Sequence, residues 1–347
     1  MNWTQKLLLW YREHKRDLPW RKSKVPYRVW LSEVILQQTR VEQGLSYYEQ
    51  FVQTYPTVKA LAAAPEEEVL KLWQGLGYYS RARNMLATAR WIVDNNQGKF
   101  PTTFNQLLPL KGIGDYTASA IASICFDEPQ AVVDGNVYRF LARCFGIDLP
   151  IDRSSTHKEF KRIAQTLMGG ASPGEFNQAM MEFGAVQCIP KSPKCPSCPF
   201  QKKCIAFQQG EVMRFPIKEK KNKVRQRYFN YLVPEFSNHT TLLHKRTTKG
   251  IWQNLYEFPL IETEELINQK KLHALPAFKS WQRKANGAPI LLNPQPIKHL
   301  LSHQQLFIQF WKIQLHTLDA KAIPYKELRK YPVPVVLAQF IEKHYPD

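Results

Sequence analysis

Residues 108–118 read Leu-Pro-Leu-Lys-Gly-Ile-Gly-Asp-Tyr-Thr-Ala, with two glycines in a turn between helical patterns. This has the form of a tight helical hairpin. Gly112 and Gly114 let the backbone come close to a phosphate. The following helix, from Tyr116 to about Cys125, offers its N-terminal amides to the same anion. Its small face, Ala118 to Ala122, permits close helix packing. Taken alone, the pattern also fits any glycine-bearing helix turn. Working outward, the chain next reads Val132-Val133-Asp134-Gly135-Asn136-Val137 and then carries a group of four cysteines.

Cys188, Cys195, Cys198 and Cys204 are separated by six, two and five residues. Thiolates this close can hold one metal centre. A four-cysteine zinc site is one reading, although such sites usually pair two short knuckles. The uneven spacing, broken by prolines, suits a compact loop around an iron–sulfur cubane. Lys191 and Lys194, with Lys202 and Lys203 nearby, make the loop a rigid phosphate contact. Cys125 and Cys144 sit in apolar helical contexts and read as small buried hydrophobes.

Apolar residues recur at three- and four-residue spacing from the start to about Phe207, so this part is expected to be all-α. Thr103, Asp134 and Ser155 are expected helix N-caps. A basic stretch from Pro216 to Arg227 reads as an exposed linker. Beyond it, Tyr228–Val233, Thr240–His244 and Leu306–Leu315 alternate as strands do. Glu264–Leu272 and Val335–His344 look helical. The expected organisation is a helical domain over 1–210, a basic linker over 211–227 and an α+β domain over 228–347.

The order of hairpin, VDGNV and four-cysteine loop resembles the helix–hairpin–helix DNA glycosylase superfamily, in its iron–sulfur branch. The resemblance is dense from about residue 3 to 207 and implies a 4Fe-4S cluster on the four cysteines. Members with lyase activity carry a lysine two residues after the second glycine, where it forms a Schiff base. Here that position is Tyr116, and Lys111 lies before the first glycine. Leu18-Pro19-Trp20-Arg21, the stretch from Trp30 to Val41, and Gly75-Leu76-Gly77-Tyr78-Tyr79-Ser80-Arg81-Ala82 are similar to signatures of the adenine glycosylase (MutY-type) branch. That branch removes adenine mispaired with 8-oxoguanine.

Adenine leaves well once its ring is protonated, which needs a carboxylic acid of raised pKa. Glu33 sits at the edge of an apolar helix face, where desolvation favours the neutral form. The pattern alone would also fit a surface glutamate; the resemblance implies the general acid. Asp134 is the candidate carboxylate to stabilise positive charge on the sugar, as well as a helix cap. The resemblance implies roles for Asn136 near the sugar or water and for Tyr116 beside Asp134. Gln38 and Tyr78 match positions that enter the base stack when a nucleotide is flipped out. Leu18, Trp20 and Arg21 match positions near the extruded base, and Trp20 suits core packing equally.

Residues 245–259, KRTTKGIWQNLYEFP, resemble the GLW-x-x-x-EFP region of Nudix-like domains. The metal-binding R-E-x-x-E-E array of Nudix hydrolases is missing, since Glu264-Glu265 is followed by Leu-Ile-Asn. Binding without nucleotide hydrolysis is expected. The family's Phe-Ser-His loop corresponds to Leu301-Ser302-His303, where leucine replaces the stacking ring. Ser302 and His303 are the expected contacts to 8-oxoguanine.

With 48 basic and 29 acidic residues, the chain carries a formal charge of +19. That attracts polyanions. No apolar run approaches the roughly 20 residues of a membrane span, and the short run at Leu7–Trp10 is no signal peptide. A cytoplasmic monomer acting on double-stranded DNA is expected. The competing readings are a bifunctional endonuclease III-type enzyme for oxidised pyrimidines and a non-catalytic DNA-binding protein.

Overall fold

The computed structural model describes residues 1–219, 224–316 and 319–346. The chain forms two units. The first comprises residues 1–63 and 84–220, the second 64–83 and 221–347. The helices up to the cysteine loop are α1 (Trp3–His14), α2 (Pro26–Leu36), α3 (Val41–Thr54), α4 (Val58–Ala63), α5 (Glu66–Leu72), α6 (Ser80–Asn96), α7 (Phe104–Leu107), α8 (Asp115–Phe126), α9 (Gly135–Phe145), α10 (Ser154–Met168), α11 (Pro173–Glu182) and α12 (Ile205–Gln208).

The core of the first unit gathers α1, α9, α10 and α11 around Trp10, Phe140, Phe160, Phe176 and Phe183. Helix α9 shows why. Val137, Phe140, Leu141 and Cys144 recur at helical spacing and are buried. Asp134 opens the helix by accepting from the Asn136 and Val137 amides, and Gly146 closes it in the left-handed region. Thr103 caps α7 as expected. Ser155 does not cap α10, which begins one residue earlier with Arg153 at its cap. Helix α2 is buried nearly all round, from Val29 through Ile35, rather than along one face.

The stretch expected to be an exposed linker is anchored at both described ends. Phe215 is buried in the core of the first unit, and the Ile151 amide donates to the Ile217 carbonyl. Arg225–Arg227 open the first strand. The apolar residues among the charges explain the difference, because they pack while the lysines stay in water. Lys221 and Lys223, part of the same expectation, lie outside the described residues.

The second unit is built on β1 (Arg225–Phe236), β2 (Thr240–Thr241), β3 (His244–Lys245), β4 (Tyr256–Glu257), β5 (Leu260–Thr263), β6 (Ile290–Leu291), β7 (Ile297–Leu300), β8 (Gln304–Leu315) and β9 (Ile323–Pro324). Among the described residues, seven of these make one sheet, with β3 and β4 apart. Strands β1 and β8 run parallel from Arg225 beside Gln304 to Phe236 beside Leu315. β1 is buried without alternation from Phe229 to Pro234, as a strand covered on both faces must be. Helices α13 (Gln269–Ala274), α14 (Lys279–Gln282) and α15 (Val335–His344) complete the unit. Phe340 of α15 stacks on Phe310 at 3.8 Å. α13 starts later than the expected Glu264–Leu272, because Ile267 enters the core and Asn268 caps the helix on the Lys271 amide.

Residues 64–83 hold to this unit by polar contacts. Glu67 accepts from Lys245 Nζ and Tyr256 Oη, each at 2.8 Å. Arg83 donates to the Gln253 carbonyl at 2.8 Å.

Candidate active site

A pocket of about 460 Å³ in the first unit is lined by Leu18, Trp20, Arg21, Glu33, Tyr116, Asp134 and Asn136, among others. It brings together every residue expected to act on the base or the sugar. α2 supplies Glu33, α8 supplies Tyr116, and the start of α9 supplies Asp134 and Asn136. Trp20 packs in the core as expected, against Tyr48 with ring centroids 5.2 Å apart, and also lines the pocket.

Glu33 is 8% exposed. Burial pushes its carboxyl up to about 7, and the negative charge of Asp134 adds to this, while the Tyr116 hydroxyl and Arg21 hold it back. Tyr116 Oη donates to Glu33 Oε2 at 2.5 Å and lies 3.4 Å from Met181 Sδ. Tyr116 is therefore paired with Glu33, and the charge of Asp134 in the same pocket also acts on it. Asp134 Oδ1 accepts the amides of Asn136 and Val137 at 3.0 and 2.8 Å, and Oδ2 accepts Asn136 Nδ2 at 2.7 Å. Burial raises its carboxyl too, opposed by those N–H donors. Arg139 Nη2 donates to the side-chain Oδ1 of Asn136 at 2.9 Å, and its Nε donates to the Cys188 carbonyl at 2.7 Å. The pocket thus offers a carboxyl still protonated near neutrality and a second carboxylate fixed by three donors.

The sequence reading missed Arg16, Gln178 and Glu182 in this wall. Glu182 ends α11 in the run Ala179-Met180-Met181-Glu182-Phe183, where a lone acid inside an apolar stretch was the available signal.

At the hairpin, Gly112 takes φ +78, and a Cβ there would lie 2.7 Å from that of Asn84. Gly114 has ordinary extended geometry and nothing within 4 Å of a built Cβ, so the space before the α8 amides is open. Gln38 and Tyr78 are non-glycine residues at φ +60 and +46. Gln38 is exposed, and Tyr78 is 47% exposed. A large side chain held in the left-handed region is conformationally costly.

Cys188, Cys195, Cys198 and Cys204 line one cavity of about 30 Å³ with Phe140, Phe183 and Phe200. Among the described residues no three His, Cys, Asp or Glu side chains close on a single-ion point. Arg143 lies 3.5 Å from Cys188 Sγ and donates to the carbonyls of Ile189, Pro190, Val212 and Phe215. Burial pushes the Cys198 thiol up to about 12. Lys191 and Lys194 are exposed.

In the second unit, Tyr78 shares a cavity of about 430 Å³ with Trp252, His299, Leu300, Leu301 and Ser302. Leu301, Ser302 and His303 form the turn from β7 to β8, closed by the Leu301 amide on the Gln304 carbonyl at 2.8 Å. Ser302 and His303 are exposed. Leu300, which carried no expectation, is 72% exposed.

Residues 31–166 match the family described as HhH-GPD superfamily base excision DNA repair protein, and residues 231–343 match the NUDIX domain. The adenine DNA glycosylase of Buchnera aphidicola subsp. Baizongia pistaciae is 32% identical, over 92% of this chain and 90% of that protein. That of Rattus norvegicus is 36% identical, over 89% of this chain and 70% of that protein. Among solved structures, a thermostable thymine-DNA glycosylase superposes with a TM-score of 0.55 at 28% identity, over 59% of this chain and 95% of that one. A trapped endonuclease III–DNA covalent intermediate, at 22% identity and a TM-score of 0.52, shares the fold, over 60% of this chain and 94% of its own. Among the described residues no helix is long and apolar enough to cross a membrane.

Proposed function

The chain belongs to the adenine DNA glycosylase family, and from that premise we propose that it excises adenine opposite 8-oxoguanine by hydrolysis alone. It is an enzyme of base excision repair that binds DNA and removes adenine from mispairs. The observation carrying the mechanism is the pair of carboxyls, buried Glu33 and half-buried Asp134, facing one pocket.

The flipped adenine enters between the Trp20 side and α8. Glu33 gives its proton to the base, and the Tyr116 hydroxyl keeps that carboxyl oriented. As the C–N bond lengthens, the sugar gains positive charge, which the Asp134 carboxylate stabilises. Asn136, held by Arg139, orients the attacking water. Tyr116 stands where lyases carry an amine, so no Schiff base forms and the strand stays intact. Gly112, Gly114 and the α8 amides hold a phosphate, Gln38 and Tyr78 fill the vacated stack, and Lys191 and Lys194 grip the backbone.

The four-thiol cavity fits a 4Fe-4S cluster. Its donors are all soft thiols, its walls are aromatic, and the Arg143 guanidinium offsets the charge of thiolates. Cys188, Cys195, Cys198 and Cys204 would hold it, and its contribution when bound is to staple the loop that displays the lysines. Iron and acid-labile sulfide, four of each per chain, are the expected content. Cys198→Ser is expected to lose both.

Residues 1–63 and 84–210 form the glycosylase unit, and 228–347, which residues 64–83 join, form the unit that inspects the opposite base. Tyr78, Leu301 and Ser302 border one cavity, which supports a reading of 8-oxoguanine by Ser302, with the exposed His303 next to it in the same turn. The protein acts as a cytoplasmic monomer on the mispair. The test is single-turnover excision from duplexes with adenine opposite 8-oxoguanine, guanine or thymine, with and without alkali. Alkali-dependent cleavage, fastest opposite 8-oxoguanine and slowed there by Ser302→Ala, is expected. Cleavage without alkali, with borohydride trapping of the protein on DNA, would overturn the hydrolytic route.

A further inference from the structure

Glu182 has a wholly inaccessible side chain and yet borders the same pocket as Glu33. Its Oε1 accepts the Arg16 amide and Arg16 Nε, both at 2.9 Å. Its Oε2 accepts Arg16 Nη2 and Arg21 Nη2, both at 2.7 Å. Burial alone would raise this carboxyl, but the two guanidinium partners overcome it and hold it at about 2. It is therefore ionised throughout the working range. An ion triad around a buried carboxylate is seldom the most stabilising way to fill space, since apolar side chains of similar volume often stabilise as well. Its retention beside a reacting carboxyl calls for a role.

The charges around the acid supply one. Tyr116 of α8, Asp134 at the N-cap of α9 and Arg21 act on Glu33 directly, and Glu33 in turn acts on Cys125 of α8. Arg16, Arg40, Glu42, Arg139 and Glu182 complete the charged lining. Four arginines thus meet four carboxyls in this lining. With Glu33 protonated the four arginines already outnumber the charged carboxylates by one, and without the charge of Glu182 the lining becomes more positive still, which favours ionised Glu33 over the acid.

We propose that Glu182 is a positioning residue for excision: it fixes Arg16 and Arg21 in the pocket wall and offsets part of their charge, so that Glu33 keeps its proton. This rests on Glu33 as the acid. Arg21 also donates to the Arg16 carbonyl at 3.1 Å and lies over the Tyr11 ring at 5.8 Å. The same carboxylate therefore shapes the wall as well as balancing it.

The experiment is single-turnover excision from pH 5 to 9 for the full-length protein, Glu182→Gln, Arg16→Met, and both together, with thermal unfolding of each. Glu182→Gln is expected to fall about tenfold at pH 7.5 and to regain most of that rate near pH 5.5, its alkaline limb moved down by about one pH unit. Arg16→Met is expected to move the limb the other way, and the double variant to return it towards wild type. A purely structural role predicts an equal loss at every pH with the limb unmoved, and that result overturns the proposal. If Glu182→Gln fails to fold, an unmoved limb in Arg16→Met overturns it just as well. Glu33→Gln in the same assay separates the layers. If it is active, the reading of Glu33 and this inference both fall. If it is inactive and the limbs do not move, only the inference falls.

Discussion

A glutamate held at about 7 by burial loses folding stability as pH rises. Its unfolded value is near 4.5, so the folded protein binds the proton more tightly. The full contribution is present below about pH 4.5 and is gone once pH passes 7. Above that, ionised Glu33 costs on the order of 3 kcal/mol. Glu33→Gln is therefore expected to be more stable than the parent at pH 8 by up to that amount, with the gap closing towards pH 4.5. Urea unfolding at the two pH values measures it, and a gap independent of pH would contradict the burial argument. Tyr116→Phe removes a hydrogen bond that lowers Glu33. The alkaline limb of its excision profile should move to higher pH, with a rate loss of about tenfold. Glu33, Tyr116, Asp134 and Asn136 were all legible because each stands in a short motif. Arg16 and Glu182 were not, since their pairing spans 166 residues and neither sits in a pattern of its own.

At the scale of elements, α11 runs into a π-helical turn, Phe183–Gln187, just before Cys188. Such turns are rare and collect at functional sites. Gly184 lies within it, and an added Cβ would stand 2.5 Å from the Asn136 carbonyl oxygen. No rotamer relieves a clash with backbone, so Gly184→Ala should cost about 2–4 kcal/mol and slow excision by displacing Asn136. Thermal unfolding with single-turnover assays would show both, and an unchanged midpoint would mean that α9 gives way freely. Helices with clean apolar spacing, such as α9 and α15, were readable to within a residue or two. The π turn and the late start of α13 were not, because tertiary burial of Ile267 and close contact at Gly184 decide them, and neither leaves a periodic trace.

Across the whole molecule the charge of +19 makes salt the main control on affinity. If six or more phosphates are neutralised, binding of undamaged duplex should weaken on the order of a thousandfold between 50 and 200 mM salt. Fluorescence anisotropy reads this directly, and a shallow slope would mean that the charge is spread away from the DNA. The two-part plan was visible in the change of texture near residue 228. That residues 64–83 join the second unit was not visible, because their helical pattern says nothing of what covers it. The division has a consequence for synthesis. Glu66 and Glu67 leave the ribosome early, while their partners Asn254, Lys245 and Tyr256 follow more than a hundred residues later. At typical translation rates that is a delay on the order of ten seconds. Throughout it, α5 and the loop bearing Tyr78 wait without those bonds, and a ribosome that stalls in the β-rich half leaves behind a chain whose residues 64–83 have no unit to join.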